Sequence, residues 1–339
     1  ILIGHNAGSG LTTSAGSCIY IGTGAGSGSN NDAETNNIGI GEDTIGAAGN
    51  TINGAEYNLA VGNVSLDALT TGDGNISLGY GTCSALTTGS YNTAVGYEVM
   101  HNGVSTGSNN VCIGMRSGYS LSSGETNTFA GLQAGYSSTT GSNNTGIGVY
   151  AGYSIAGDGN YNALLGYAAG FAITTGDNNI CIGRDSGRST SPAGDIQTGD
   201  NQLCLGNDNI SAFFCADTSI SSSDKRDKTD VTNFTAGLDF IEKMQPVTYK
   251  WDKRSWYSDD LSATPDGSKK AIETNVGFLA QDVETLEKEI GFANDKNDML
   301  FVNLTEDNSR YGIKYERLVT VLVNAVKELS TKVKALEEA

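Results

Sequence analysis

The chain has 339 residues, 46 of them Gly and only 3 Pro, and carries a formal net charge of −18. That charge excludes general nucleic-acid binding, which needs cationic cover for phosphates, and no apolar run of about 18 residues is present to cross a membrane as a helix. Two His and six scattered Cys, without CxxC or HExxH spacing, predict neither a metal centre nor a bound cofactor.

Composition changes near residue 220. Residues 1–220 hold 41 of the 46 Gly and 16 acidic residues but only three basic ones, Arg116, Arg184 and Arg188, a net of 3 − 16 = −13. Residues 221–339 carry 17 basic and 22 acidic residues, a net of −5, in Lys/Glu-rich stretches with helical period. Two domains follow from this, 1–220 and 221–339.

The first is an array. A Gly preceded by a mostly aliphatic residue recurs twelve times from Gly4 to Gly206, at spacings of 17–23 residues. Four residues before this marker Gly stands Asn in nine successive units, from Asn37 to Asn179. The run between Asn and Gly, such as Thr93-Ala94-Val95 or Val111-Cys112-Ile113, reads as a short strand buried on both faces. The third residue after the marker is small or β-branched, and Thr-Thr-Gly-Ser/Asp-x-Asn turns precede the next unit, as at Gly89 and Gly141.

A unit of about 17 residues cannot fold alone and must stack on its neighbours. Two strands and two turns per unit predict a β-solenoid or β-roll. With so few large apolar residues, winding several copies together supplies the missing burial, and a trimeric fibre is the preferred solution. The Asn column is expected to be a structural ladder, and Cys112, Cys181 and Cys204 to be small buried hydrophobes. Tyr97, Tyr119, Tyr136, Tyr153 and Tyr167 are placed either to pack between turns or to stack on sugars. Calcium coils and an ice-binding Thr face are weaker alternatives. The nine-residue calcium repeat is missing, and turn chemistry accounts for the Thr pairs.

Asn92-Thr93-Ala94-Val95-Gly96-Tyr97 and Asn127-Thr128-Phe129-Ala130-Gly131 resemble the head repeats of trimeric adhesins and phage tail fibres.

The second domain opens on Ser221-Ser222-Ser223-Asp224-Lys225-Arg226-Asp227-Lys228. A Ser hydroxyl is a weak nucleophile until a base takes its proton, and Lys serves as that base only when neutral, as burial or nearby cations favour. Arg226 is placed to contribute such repulsion. By spacing alone, a polar linker accounts for the segment equally well.

Ser-Asp-x-Arg-x-Lys-x-x-Val, followed by Leu238-Asp239-Phe240-Ile241, Pro246-Val247-Thr248-Tyr249-Lys250-Trp251, Val276-Gly277-Phe278-Leu279-Ala280-Gln281-Asp282-Val283-Glu284 and Tyr315-Glu316-Arg317-Leu318, resembles the self-cleaving intramolecular chaperone that ends endosialidases and many tail fibres. Asp227 departs from it, standing where that family has an apolar residue. The resemblance implies a small α+β domain that forms a homotrimer, guides folding of the fibre ahead of it, and releases itself by autoproteolysis. Ser223 is then the nucleophile and Lys228 the general base, with Asp224 and Arg226 shaping the site and the cut at the Ser223 junction. Of its two sides, the Ser222–Ser223 bond is favoured if Ser223 attacks in cis, because its hydroxyl reaches the preceding carbonyl through a five-membered ring. A closing helix over about 315–339 carries Val319, Leu322, Val326, Leu329, Val333 and Leu336 at alternating spacings of three and four, a coiled-coil seam.

The reading is a distal viral tail fibre, extracellular on the virion, that attaches to a host-surface receptor, a glycan among the candidates. It has no nucleic-acid partner, no membrane insertion and no turnover chemistry beyond one self-cleavage. A bacterial trimeric surface adhesin with the same chaperone is the alternative.

Overall fold

The computed structural model describes residues 1–11, 16–28, 36–46, 51–210, 223–258, 261–305 and 308–339. They form two compact units, Ile1–Asn209 and Ile210–Ala339.

The first unit is a parallel β-solenoid. Its strands are β1 (Leu2–Ile3), β2 (Ile19–Ile21), β3 (Ile38–Ile40), β4 (Leu59–Val61), β5 (Ile76–Leu78), β6 (Thr93–Val95), β7 (Val111–Ile113), β8 (Thr128–Ala130), β9 (Thr145–Ile147), β10 (Ala163–Leu165), β11 (Ile180–Ile182) and β12 (Leu203–Leu205). Each pairs with the next in chain order, making one twelve-stranded sheet. Equivalent residues fall opposite one another, as in Ala94↔Cys112 and Cys181↔Cys204.

Each unit contributes one strand to this sheet, not the two expected. The reason lies in the backbone after the marker Gly, where the second and fourth residues adopt positive φ: Arg116 (54°) and Gly118 (56°), or Val64 (59°) and Leu66 (55°). Left-handed residues at that spacing turn the chain and prevent a second extended run. Hydrogen bonds between coils continue there without a strand, as from Gly118 N–H to the Ala134 carbonyl at 2.8 Å.

The marker glycines stack on one another. A Cβ on Gly114, at φ +119°, would stand 2.6 Å from the Gly131 carbonyl oxygen, and one on Gly131 2.4 Å from that of Gly148. Only Gly permits this approach.

The Asn column is a ladder, as its regularity indicates. From Asn58 to Asn162, each Asn amide donates to the Oδ1 of the Asn one coil before and to a Gly carbonyl. Asn110 Nδ2, for example, reaches Asn92 Oδ1 at 3.1 Å and Gly124 O at 2.9 Å. The Thr pairs also spend hydroxyls on the next coil, Thr70 on the Thr87 carbonyl and Thr174 on that of Gln197.

The core inside the coil is narrow and balances volume between two positions. Where the middle strand residue is large, the fourth residue after the marker is Gly: a Cβ on Gly26 would lie 2.5 Å from the Tyr20 ring, and one on Gly135 2.6 Å from Phe129. Where the middle residue of β3 to β6 is small (Gly39, Ala60, Ser77, Ala94), that later position holds Ile45, Leu66, Cys83 or Met100, all at most 1% exposed. In β9, where Gly146 and Gly152 are both small, Leu164 and Ile155 take the room, 2.8 and 2.9 Å from a Cβ on Gly152. A close-packed interior demands such compensation. The buried Cys112 and Cys181 thiols are pushed up in pKa, Cys181 to about 12, chiefly by loss of water.

Strand burial is one-sided. The middle residue faces the core and its two neighbours face outward in β2 to β12. The expectation of burial on both faces does not hold within one chain, because the coil encloses a single inward side chain per strand.

The second unit is α+β. It contains α1 (Leu238–Lys243), β13 (Val247–Tyr249) paired antiparallel with β14 (Asn275–Gly277), α2 (Ala280–Glu289), β15 (Val302–Leu304) paired antiparallel with β16 (Tyr311–Ile313), and α3 (Leu318–Glu337), entered through a 3-10 turn at Tyr315–Arg317. Phe240, Met244, Val283, Phe301, Val302, Leu318 and Val321 build its core. No helix among the described residues is long and apolar enough to cross a membrane.

Candidate functional site

The segment that opens the second unit folds into a 3-10 turn, Lys225–Asp227. Asp224 caps it, accepting from the Arg226 backbone N–H at 2.9 Å, and Lys228 closes it with its N–H on the Lys225 carbonyl. An Asp at the cap satisfies a donor that the turn leaves open. One consequence is geometric: Ser223 and Lys228, five residues apart, stand on the same side, and Lys228 Nζ lies 2.6 Å from Ser223 Oγ.

Asp224 and Arg226 form a two-pronged ion pair, Nη2 to Oδ2 at 2.6 Å and Nε to Oδ1 at 3.1 Å. The Arg226 guanidinium holds the Asp224 carboxyl below its usual range, and the carboxylate in turn raises Arg226. Arg226 therefore spends its charge on Asp224, and the repulsion expected from it on Lys228 is largely cancelled. Its effect is to fix the turn. Asp227 is exposed, and Ser222 lies outside the described residues. Gln281 is exposed in the first turn of α2, its carbonyl accepting from Thr285 Oγ1 at 3.0 Å.

The pair can do one piece of chemistry. A charged ammonium donates to the hydroxyl, whereas a neutral amine at this distance accepts its proton.

Two anchors in this unit were not apparent in the sequence. Glu287, fully buried in α2, takes backbone N–H groups from Leu300, Phe301 (2.8 Å) and Val302 (3.1 Å), and so holds β15. Its signal was its place four residues after buried Val283 on the inward face of α2. Asn324 and Glu328 of α3 tie down the arm before α1: Asn324 Nδ2 donates to the Phe234 and Ala236 carbonyls, and Glu328 Oε2 accepts from Leu238 N–H at 3.2 Å. Lys314, which donates to the Met299 carbonyl, is lowered in pKa by burial and by Arg317 nearby.

In the solenoid, aromatic residues form a stack. Tyr119, Tyr136, Tyr153 and Phe171 lie on successive coils with centroids 4.9–5.1 Å apart and rings nearly parallel. All three basic residues of the array rest on rings: Arg116 over Tyr119, Arg184 over Tyr167 and Arg188 over Phe171. Each also pairs with a carboxylate, Glu98 or Asp185. Inside the stack the ring faces are spent on one another, so only edges and hydroxyls are offered to a ligand.

Ser223 and Lys228 thus stand together where a small α+β unit follows a β-solenoid repeat array in the chain. In agreement, residues 223–292 match the family model described as chaperone of endosialidase (Peptidase_S74). The match begins at Ser223 and ends before α3, so the closing helix is joined to that family by the resemblance of Tyr315–Leu318 alone. Comparison with curated proteins and with solved structures finds no match.

Proposed function

We propose that this chain is the distal part of a viral tail fibre that attaches to a host surface, and that its C-terminal unit brings three copies together, guides their winding and then cuts itself free at Ser223. The observation that carries the reading is the Ser223–Lys228 pair, 2.6 Å apart, standing at the first residue of the family match.

The cut follows from the geometry of a Ser in its own chain. Lys228 is exposed in the single chain; on this reading it acts once its amine is neutral, taking the proton of Ser223 Oγ while the oxygen attacks the Ser222 carbonyl through a five-membered ring. The amide C–N bond then breaks, the Ser223 nitrogen gains the proton, and an ester joins Ser222 to Ser223 Oγ. Water hydrolyses the ester, leaving a carboxylate on Ser222 and a free hydroxyl on Ser223.

The repeat array explains why such a helper is useful. A slip by one coil preserves most contacts between identical units, and parallel assembly closes long loops before any contact rewards it. A C-terminal trimer raises local concentration and sets the register at one end. Once it is removed, the wound fibre persists because rewinding loose chains is slow.

The test is mass measurement under denaturing conditions. The wild type should yield a piece ending at Ser222 and a piece beginning at Ser223, and Ser223→Ala should stay intact. Equal masses for the two proteins would end the self-cleavage claim. Residues 1–222 produced without the second unit should fail to wind, and a well-formed rod from that segment would end the chaperone claim.

A further inference from the structure

The outer face of the solenoid sheet is an aliphatic surface that nothing in the described chain covers. Each of β2 to β12 turns its first and third residues outward, two for each of eleven strands, 22 in all. Nineteen are aliphatic, the other three are Thr93, Thr128 and Thr145, and none is charged. Ile113 is 44% exposed and Leu165 50%. Monomers rarely present a contiguous apolar patch of more than a few hundred Å².

We infer that this face packs on the same face of other copies of this chain, parallel and in register, along the whole array. The inference rests on the fibre reading above and names the surface through which the fibre holds together.

Three properties of the face select this occupant. The first is period. The aliphatic columns repeat once per coil, at the strand spacing of about 4.8 Å, and a sheet of the same rise meets every rung, whereas an ordinary globular surface does not. The second is area. Ten spacings between these eleven strands give a strip about 48 Å long and, with two columns and their side chains, about 14 Å wide. That is roughly 670 Å² per copy, within the range of about 600–1,000 Å² that each partner buries in a stable interface. The third is charge. The array carries 3 − 16 = −13, yet no carboxylate stands in either column, so copies approach here without direct like-charge contact.

The face also has a waist. In the column of first strand residues the middle is small (Thr93, Val111, Thr128, Thr145, Ala163) and the ends larger (Ile38, Leu59, Ile76, Ile180, Leu203), while the column of third residues stays mostly large. Alignment of waist with waist favours zero slip over a shift by one coil.

The test places a thiol on the face of the full chain. Ile113→Cys, oxidised by copper phenanthroline, should link most chains to one another, because equal positions meet when copies are parallel and in register. Both this variant and Tyr91→Cys, in the turn before the Asn column, carry Cys215→Ser, because Cys215 lies outside the described residues while the described cysteines are all buried. Tyr91→Cys and the Cys215→Ser parent should not link. Sedimentation of the wild type fixes the number of copies. An assembled protein whose Ile113→Cys variant forms no link would overturn this inference and leave the fibre reading standing, since the second unit would then hold the copies. A wild type that sediments as a single chain would overturn both. Retention of such single chains on phosphatidylcholine vesicles would assign the face to lipid instead. Ile113→Arg with Ile147→Arg gives an independent readout: the outward side chains remove no core contact, so the circular dichroism of the array should persist while its assembly is lost. Unchanged assembly in that variant would likewise count against the inference.

Discussion

Asn92 donates from Nδ2 to Oδ1 of Asn75 at 3.0 Å, and the same Oδ1 of Asn75 also accepts the backbone N–H of Asn92 at 2.9 Å. One carboxamide thus satisfies two donors of the next coil, and the pattern passes on to Asn110, Asn127 and Asn144. Asn92→Ala removes an acceptor for Asn110 and a donor to the Gly107 carbonyl, inside a column at most 1% exposed. Each buried polar group left alone costs about 1–3 kcal/mol, so denaturant unfolding should register a loss of about 3 kcal/mol or more. Asn92→Asp should lose comparable stability at neutral pH and regain part of it in acid, where the protonated carboxyl donates again. A variant as stable as the wild type would show that the ladder is dispensable.

Glycines in the array are not equivalent. Gly114→Ala drives a Cβ to 2.6 Å from the Gly131 carbonyl oxygen at φ +119°, whereas Gly103, at φ +90°, meets nothing within 4 Å. Gly103→Ala should cost about 1 kcal/mol of backbone strain. Gly114→Ala must also separate two coils, and its melting temperature should fall several times further. Equal shifts would mean that contact between coils does not constrain the marker position.

These two columns were legible in the sequence because each has a backbone reason that only one residue type meets. Gly tolerates a carbonyl against its Cα, and Asn carries donor and acceptor on a short stem. The left-handed positions two and four residues after the marker were not legible. They are occupied by Leu66, Met100, Tyr150 and Arg116 as well as by Gly, so no composition marks them, and the second strand was expected where they turn the chain. At the site, the Ser223–Lys228 approach was carried by resemblance rather than spacing. Glu287 escaped notice because a lone Glu on a polar helix reads as a solvated residue. Its partners are backbone groups 13–15 residues away, which leave no mark in side-chain pattern.

Glu287→Gln tests that anchor. A carboxylate accepting N–H groups from Phe301 and Val302 makes charge-assisted bonds. The amide keeps one acceptor and turns a donor toward N–H groups. The second unit should lose about 2–4 kcal/mol while the solenoid transition stays in place. A calorimetric scan in which the second unit's transition does not move would rule out this role.

Asp67 introduces a pH dependence. Burial pushes its carboxyl up to about 6, with Asp43 adding and His101 and backbone N–H groups opposing, and its Oδ1 is buried without a partner. The folded form thus binds a proton more tightly than the unfolded chain does. Stability is fully present below the unfolded value near 3.8, declines as pH rises to about 6, and stays reduced above that. The shift corresponds to at most about 3 kcal/mol. Asp67→Asn should therefore stabilise the array at pH 7 and change little at pH 4. Denaturation curves at the two pH values check this, and an equal effect at both would show that ionisation is not the cause.

α3 presents apolar residues on two faces with different duties. Leu318, Val321 and Ala325 are buried within the unit, while Val319, Leu322, Val326, Leu329, Val333 and Leu336 are exposed. The helix already has its own core contact, so the seam is surplus to the fold of one chain, and its Val/Leu alternation is the pattern by which helices of separate chains interlock. The two faces should respond oppositely to the same chemistry. Val321→Asp buries an unpaired charge and should unfold the second unit, abolishing its helical signal. Val326→Asp with Leu329→Asp places charge on exposed positions, so the helical signal of a monomer is retained while self-association weakens at least tenfold by sedimentation. If the seam variant assembled as tightly as the wild type, the helix would play no part in joining copies, and assembly would fall to the sheet face alone.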